Sequence, residues 1–255
     1  MRFIWRIFSI TLILILTYFI VDIGRYFVYP NVASLKKSCP QKTAFMKYRE
    51  KIWKEKGIKR KIINIWVPLS SVSPYVMKAV IIAEDDKFWS HEGFDFEAMQ
   101  KALEKDIKKK KFKAGGSTIS QQLAKNLYLT PSKNPIRKLK EAILTWRLER
   151  QLSKRRIMEL YLNVAEWGDG IYGIEAAARK DYGKHASELT AREAAALAAV
   201  IPNPRRYKPD GTSRYVEGQS ERIYQIMVRR GIVIPDYDDV IFEKDENNPE
   251  AAGQK

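Results

Sequence analysis

Residues 83–93, AEDDKFWSHEG, gather Glu84, Asp85, Asp86 and Glu92 around His91, one of only two histidines in the chain. A carboxylate beside an imidazole can take or give a proton, and general acid–base chemistry needs such a group held within reach of the reacting atom. Upstream, Ser73 and Pro74 read as a helix N-cap followed by proline at the first helical position, opening a helix that runs from Tyr75 to about Asp85. Glu84 then stands near the C-terminal end of that helix, where the macrodipole disfavours negative charge and raises a carboxyl pKa. A raised pKa suits a base.

Two further groups carry opposite charge. Gly115, Gly116, Ser117 and Thr118 end a basic loop and start a helix, with Thr118 and Gln121 spaced as a capping box. Ile119, Leu123 and Leu127 form one apolar stripe on it, and Gln121 and Lys125 project from the opposite face. A glycine-flanked helix N-terminus offers free backbone N–H groups to an anion. The chain has no Gly-Lys-Ser/Thr phosphate loop, so this is not an NTPase signature. Arg137, Lys138 and Glu141 lie within an amphipathic helix predicted over 136–152, whose apolar face is Ile136, Leu139, Ile143 and Trp146. Spacing alone favours an ordinary surface ion pair for Glu141, worth under about 1 kcal/mol.

What must position these groups is a chain of 255 residues with a formal charge of +16 and enough apolar residues for one core. Cys39 is the only cysteine, which excludes an intramolecular disulfide and a Cys-rich zinc site, and the two histidines exclude a multi-histidine metal centre. Residues 7–21 carry no charge, and extending the run to 3–23 admits only Arg6 and Asp22. That approaches the roughly 20 residues of a membrane-spanning helix, with Arg2 and Arg6 free to snorkel. No small-x-small cleavage site follows, so an uncleaved anchor is preferred to a signal peptide. Arg2 and Arg6 place the N-terminus in the cytoplasm and the rest outside, partly offset by Arg25, Lys36 and Lys37 beyond the span. The net charge asks for an anionic partner, nucleic acid or an anionic, phosphate-bearing lipid surface, and the anchor favours the lipid.

The remaining pattern is mainly helical and without repeats. Residues 36–61 read as a connector or first helix, 98–113 as a helix running into a lysine cluster around Phe112, and 157–162 as helix. A glycine-rich turn leads into another helix within 166–183, and Thr190 with Glu193 caps a helix that Pro202 terminates. Strand signals are confined to 61–67 and 231–234, and the chain beyond Asp236 reads as an acidic tail.

Taken in order, several motifs resemble the peptidoglycan glycosyltransferases, the lysozyme-like membrane enzymes that polymerise lipid II. EDDKFWSHEGFD from Glu84 fits the family's E-D-x-x-F-x-x-H-x-G, GGSTISQQLAKN from Gly115 its G-x-S-T-I-x-Q-Q-x-x-K-N, and RKLKE from Arg137 its R-K-x-x-E. IMELYLN, GIYGIEAAA and LTAREAAALAAVIPNP follow as later blocks, and the match spans 67–209. The resemblance implies a lysozyme-like, mainly α glycosyltransferase domain over 67–235, behind an anchor over 1–28 and a connector over 29–66, with a tail over 236–255. No penicillin-binding transpeptidase domain follows, so the monofunctional form is expected.

By the same resemblance the enzyme is an inverting hexosyltransferase of the plasma (inner) membrane, its catalytic domain on the outer face. Lipid II, the growing glycan chain and the bilayer are its partners, cell-wall synthesis proteins are compatible further ones, and nucleic acid is not among them. Glu84 is implied as the general base and Glu141 as the second catalytic carboxylate, which organises either a bound divalent ion or the basic residues Lys125, Arg137 and Lys138 around a polyprenyl pyrophosphate. This overrides the surface-pair reading of Glu141. Ser117, Gln121 and Asn126 are implied as donor-binding, and Asp85 and His91 as braces of the base. Lys133 stands where many relatives have arginine, replacing a bidentate fork with a point charge. No cofactor is required; Mg2+ or another divalent ion is admitted, although one carboxylate alone is no metal site.

Two other classes remain: a lytic glycosidase, which would not need a cation cluster for a pyrophosphate, and a membrane-tethered, non-catalytic binding protein. Neutralising Lys108 to Lys111 is expected to weaken binding of the purified protein to anionic vesicles, at about 1 kcal/mol per lysine near the surface; vesicle co-sedimentation at unchanged levels would refute a lipid-facing role for that loop.

Overall fold

The computed structural model describes residues 2–109, 116–132 and 134–234. Among them are ten α-helices and one small sheet, so the expected mainly helical class holds. Helix α1 (Arg2–Gly24) buries none of its side chains and is long and apolar enough to cross a membrane. The chain then turns back onto the domain through two short 3-10 turns, Arg25–Phe27 and Val32–Lys36. Val32 and Leu35 enter the core there.

Helix α2 (Ala44–Glu55) is capped by Thr43, whose hydroxyl accepts from the Met46 amide at 3.2 Å. Trp53 of α2 lies against Gly170, which has φ +81°; a Cβ there would come within 2.6 Å of the indole, so only glycine fits this hairpin corner. The sheet has strand order β1-β3-β2, with β1 (Ile63–Asn64) parallel to β3 (Ile171–Tyr172) and β2 (Glu166–Gly168) antiparallel to it. The strand expected over 61–67 thus shortens to two residues. Its continuation is held by a side chain: Asn163 accepts from the Val67 amide at 2.9 Å and donates to the Val67 carbonyl at 2.8 Å.

Helix α3 (Pro74–Glu84) begins with proline as expected, but Ser73 does not cap it; its hydroxyl donates to the Leu189 carbonyl at 2.8 Å and ties α3 to the chain before α9. Helices α4 (Phe96–Lys109), α5 (Ile119–Tyr128), α6 (Pro135–Gln151), α7 (Lys154–Val164), α8 (Ile174–Tyr182), α9 (Ala191–Val200) and α10 (Arg214–Arg229) follow. The capping boxes predicted for α5 and α9 are both formed. The alanine-rich α9 packs against both α3 and α10, its small side chains letting the backbones approach.

Further local expectations differ from the structure. The strand expected at 231–234 is absent because the Gly231 and Ile232 amides close the end of α10, donating to the carbonyls of Val228 and Met227 at 2.9 Å each. Helix α10 itself gave little signal, since its buried residues Val216, Ile223, Tyr224 and Met227 are sparse and Gly218 interrupts them. The stripe expected to bury α6 is rotated outward at two of its four positions: Leu139 and Trp146 are 50% and 44% exposed while Ile143 stays buried, and Leu144 and Leu148 reach the core. The Lys110 and Lys111 end of the lysine cluster, Phe112, Lys133 and the acidic tail over 236–255 lie outside the described residues.

That rotation turns α6 toward α1 and the turn that follows it. Trp146 meets Phe27 edge to face, Lys140 pairs with Asp22, and the buried Arg147 donates to the carbonyls of Tyr26 at 2.9 Å and Val28 at 2.8 Å. Arg156 of α7 holds the next stretch by the Leu35 and Ser38 carbonyls, both at 2.8 Å. Hydrogen bonds from charged donors contribute about 1.5–3 kcal/mol each. Arg147→Ala is therefore expected to destabilise the domain by about 2–4 kcal/mol in chemical denaturation, and to expose residues 25–38 to limited proteolysis.

Candidate active site

The loop that carries the acidic cluster is fastened by one carboxylate. Asp85, the residue after α3, accepts from the His91 ring at 2.8 Å through Oδ1 and from the Ile119 amide at 2.9 Å through Oδ2. The Gly93 amide donates to His91 Nδ1 at 3.0 Å, which leaves the ring proton on Nε2, facing Asp85. Gly93 in turn accepts from the Thr118 hydroxyl at 2.7 Å. It sits at φ +90°, and a Cβ would lie 2.9 Å from side-chain atoms of Thr145 and Glu149, so the loop presses directly on α6. The free N–H groups expected at the start of α5 are thus occupied. The anion they receive belongs to the protein: Asp85 takes the first amide, and the Thr118 hydroxyl takes that of Gln121 at 3.2 Å.

Glu84, one residue before this clamp, is half-buried and accepts from Gln122 Nε2 at 2.7 Å. The Gln122 carbonyl accepts from the Tyr161 hydroxyl at 3.0 Å, so the amide orientation is fixed from behind. Burial, more than any other influence, pushes the Glu84 pKa above the ordinary glutamate range; Asp85 adds to the rise, while Gln122 and Lys125 oppose it. The direction agrees with the helix-end expectation, and desolvation is its main cause. Burial, with the fields of Glu84 and Asp85, also holds the Tyr161 phenol well above its usual value, keeping it a donor.

Gln122 was missed in the sequence, where Gln121 was singled out. Gln121 is buried and its side chain accepts from the Thr118 amide at 3.0 Å, completing the capping box. A residue already committed to the N3 position of a cap cannot also face a cleft. The next residue, turned about 100° around the helix, can.

The second cluster forms on α6. Glu141 is 2% exposed, accepting from Lys138 Nζ at 2.5 Å and from Arg137. Lys138 also reaches the Ser117 hydroxyl at 3.3 Å, and Arg137 Nε donates to the Ser132 carbonyl at 2.5 Å. Burial lowers the pKa of Lys125 on α5, as do the fields of Arg137 and Lys138, while those of Glu141 and Glu84 act in the opposite sense. The Phe45 ring lies 5.6 Å from its ammonium. Asn126 lines a cavity of about 190 Å³ together with Lys125 and Gln122, and Ser117 lines one of about 290 Å³ together with Glu84 and Asp85. The structure places Glu84, Asp85 and Ser117 on one cavity and Lys125 and Asn126 on another, links the two through the hydrogen bond from Gln122 to Glu84, packs His91 behind Asp85, joins the Arg137, Lys138 and Glu141 cluster to Ser117 through Lys138, and turns Gln121 inward.

Chemically, Glu84 can accept a proton, and the Lys125, Arg137 and Lys138 group can face an anion. Both Glu141 oxygens are already engaged by cations, and no cluster of three or more His, Cys, Asp or Glu side chains occurs among the described residues. That donor set does not fit a divalent ion.

A family model described as Transglycosylase matches residues 51–228. A biosynthetic peptidoglycan transglycosylase of Nitrosospira multiformis is 43% identical over 231 residues, covering 91% of this chain and 98% of that protein. Proteins of the same description are 53% identical over 169 residues in Aromatoleum aromaticum, covering 66% of this chain and 74% of that protein, and 48% identical over 184 residues in Azoarcus sp., covering 72% and 80%.

Because the folded state holds the Glu84 proton more tightly than the unfolded chain, this contribution to stability is fully present below the ordinary glutamate pKa and is lost as pH rises through the elevated value. Glu84→Gln cannot ionise. Its thermal midpoint is expected to exceed the parent's by a few degrees at neutral pH and to converge with it near about pH 4. A gain of equal size at both pH values would refute burial of the charge as its origin.

Proposed function

The chain belongs to the transglycosylase family and is a peptidoglycan glycosyltransferase of cell-wall synthesis, and from that premise we propose the reaction that its cleft performs: polymerisation of lipid II into β-1,4-linked glycan with release of polyprenyl pyrophosphate. The observation that carries this reading is Lys138, paired with Glu141, reaching at 3.3 Å the Ser117 hydroxyl of the cavity that Glu84 also lines, which sets a proton acceptor beside a cation cluster. Glu84 takes the proton from the 4-hydroxyl of the N-acetylglucosamine on an incoming lipid II. That oxygen bonds to the anomeric carbon at the reducing end of the growing chain as the carbon–oxygen bond to the pyrophosphate breaks, with inversion. The proton ends on Glu84 and the electron pair on the departing pyrophosphate.

A sugar hydroxyl is a weak nucleophile at neutral pH, and a carboxylate with an elevated pKa is a better acceptor for its proton. Lys125, Arg137 and Lys138 oppose the charge that builds on the leaving group. Glu141 holds two of these cations ready, so little reorganisation is needed when the pyrophosphate enters. Asp85 and His91 fix the loop beside Glu84, and Ser117 and Asn126 line the donor side. Gln122 orients the Glu84 carboxylate.

Residues 1–28 are read as a membrane anchor with a cytoplasmic N-terminus, which sets the domain over 67–235 on the outer face of the inner membrane with 29–66 joining the two. The substrate's polyprenyl tail requires that address, and α1 has the length for it.

Detergent-solubilised parent protein given labelled lipid II is expected to make a glycan ladder that lysozyme digests, and Glu84→Gln to lose at least about 10²-fold of that rate. Shortening of preformed glycan by the parent, without a ladder from lipid II, would overturn polymerisation in favour of lysis.

A further inference from the structure

The far end of α10 reaches back to the acidic loop. Arg230 Nη1 and Nη2 donate to the two carboxylate oxygens of Asp86 at 2.6 Å and 2.9 Å, although 144 positions separate the pair in the chain. Asp86 stands two residues after Glu84 and directly after the Asp85 clamp. The next residue is drawn the opposite way: Lys87 pairs with Glu97 of α4, which Lys101 also meets at 2.5 Å. Glu84, Asp86, Lys87 and Glu97 all line the cavity of about 290 Å³. The segment that follows the base is thus stretched between two walls, α10 and α4.

The α10 wall gives Arg230 a firm base. Met227 before it is fully buried, the amides of Arg230, Gly231 and Ile232 are bonded to the carbonyls of Ile226, Val228 and Met227 at 3.0, 2.9 and 2.9 Å, and Ile232 and Val233 pack on the core. The helix also lies against α3, which ends in Glu84, and its Tyr215, Gln219 and Arg222 share with Glu84 a cavity of about 130 Å³. A guanidinium fork that meets both carboxylate oxygens fixes direction as well as distance. It holds the Asp86 carboxyl below the ordinary aspartate range. Both side chains are about half exposed, so the pair adds little to global stability. What it adds is position. At Asp85 the backbone has left the helix, and Phe88, fully buried, fixes the loop only further on. The Arg230 fork holds the chain between these two points.

Resting on the polymerase reading, we propose that Arg230 is a positioning residue of the active site: its fork on Asp86 holds the segment after Glu84 to α10, against the pull of Glu97 on Lys87, and so keeps the Glu84 carboxylate in line with the hydroxyl it deprotonates. Arg230 touches no reacting atom and acts through Asp86. Displacing a catalytic group by about 1 Å can cost about 10²-fold in rate, so a contact of little worth to folding has a large effect on turnover. Substrate affinity rests on other residues, Lys125, Arg137 and Lys138, and stays as it is. The last helix of the domain thereby becomes part of the catalytic apparatus, although none of the motifs that mark the site lies on it.

The test uses the full chain in detergent with two arms. In the first, lipid II polymerisation is followed for the parent, Arg230→Ala, Arg230→Lys, Asp86→Asn and the Arg230→Ala, Asp86→Asn double variant. Arg230→Ala is expected to lower kcat about tenfold at unchanged KM and unchanged thermal midpoint, Arg230→Lys to recover part of the loss, and the double variant to be no slower than either single one. In the second, amide hydrogen exchange is read by mass spectrometry without substrate, and Arg230→Ala is expected to speed exchange over 85–93 several-fold while α9 keeps the parental rate. Parental kcat with parental exchange over 85–93 would overturn the proposal, as would losses that multiply in the double variant or a kcat that falls only in step with the thermal midpoint. A parent that makes no polymer discards the polymerase reading, and the exchange arm then decides the Arg230 tie by itself.

Discussion

The Asp85 carboxylate is the constraint on which the rest of the site depends. One oxygen holds the His91 ring and the other the first amide of α5, so the end of α3, the acidic loop and the start of α5 share a single fastening. A carboxylate at a helix N-terminus is favoured by the macrodipole and by unpaired amides. Here that local preference is used to fix a tertiary relation. Glu84 is the residue before it, and Gln122 and Lys125 follow on the helix it caps, so the distance from base to cation is set by one clamp.

Around that clamp, burial works in opposite directions on two neighbours. It raises the pKa of Glu84 and lowers that of Lys125, weakening the charged form of both, while each partly restores the other's charge. Glu141 represents the contrasting solution. Two cations reach it directly, and its deeply buried charge is fully answered.

Much of this was legible in the sequence because it depends on local rules. The caps of α5 and α9, the proline opening α3 and the helical character of α6 and α7 follow from residues close together in the chain. What escaped depends on partners far apart. Asp85 could be named as a brace, but that it would take the amide of Ile119 requires the fold. The α6 stripe was read as core because Leu139 and Trp146 are apolar, and periodicity does not say whether an apolar face meets the domain or the anchor beside it. Gln122 looked equivalent to its neighbour until the cap claimed Gln121. Glu141 was a surface pair by spacing and an essential residue by resemblance; its burial explains why spacing alone misjudged it.

The return of the chain after α1 has a mechanical meaning. With Asp22 on Lys140, the carbonyls of Tyr26 and Val28 on Arg147, and Val32 and Leu35 in the core, no slack separates the anchor from α6, the helix that bears Arg137, Lys138 and Glu141. Such an enzyme is less a float on a line than a keel with a fixed hull. Its tilt is the tilt of its cleft, and the two drift and turn together as one body. On the proposed placement of α1 across a bilayer, substrates that share the bilayer meet the cleft at a constant height, and the search for them is reduced from three dimensions to two.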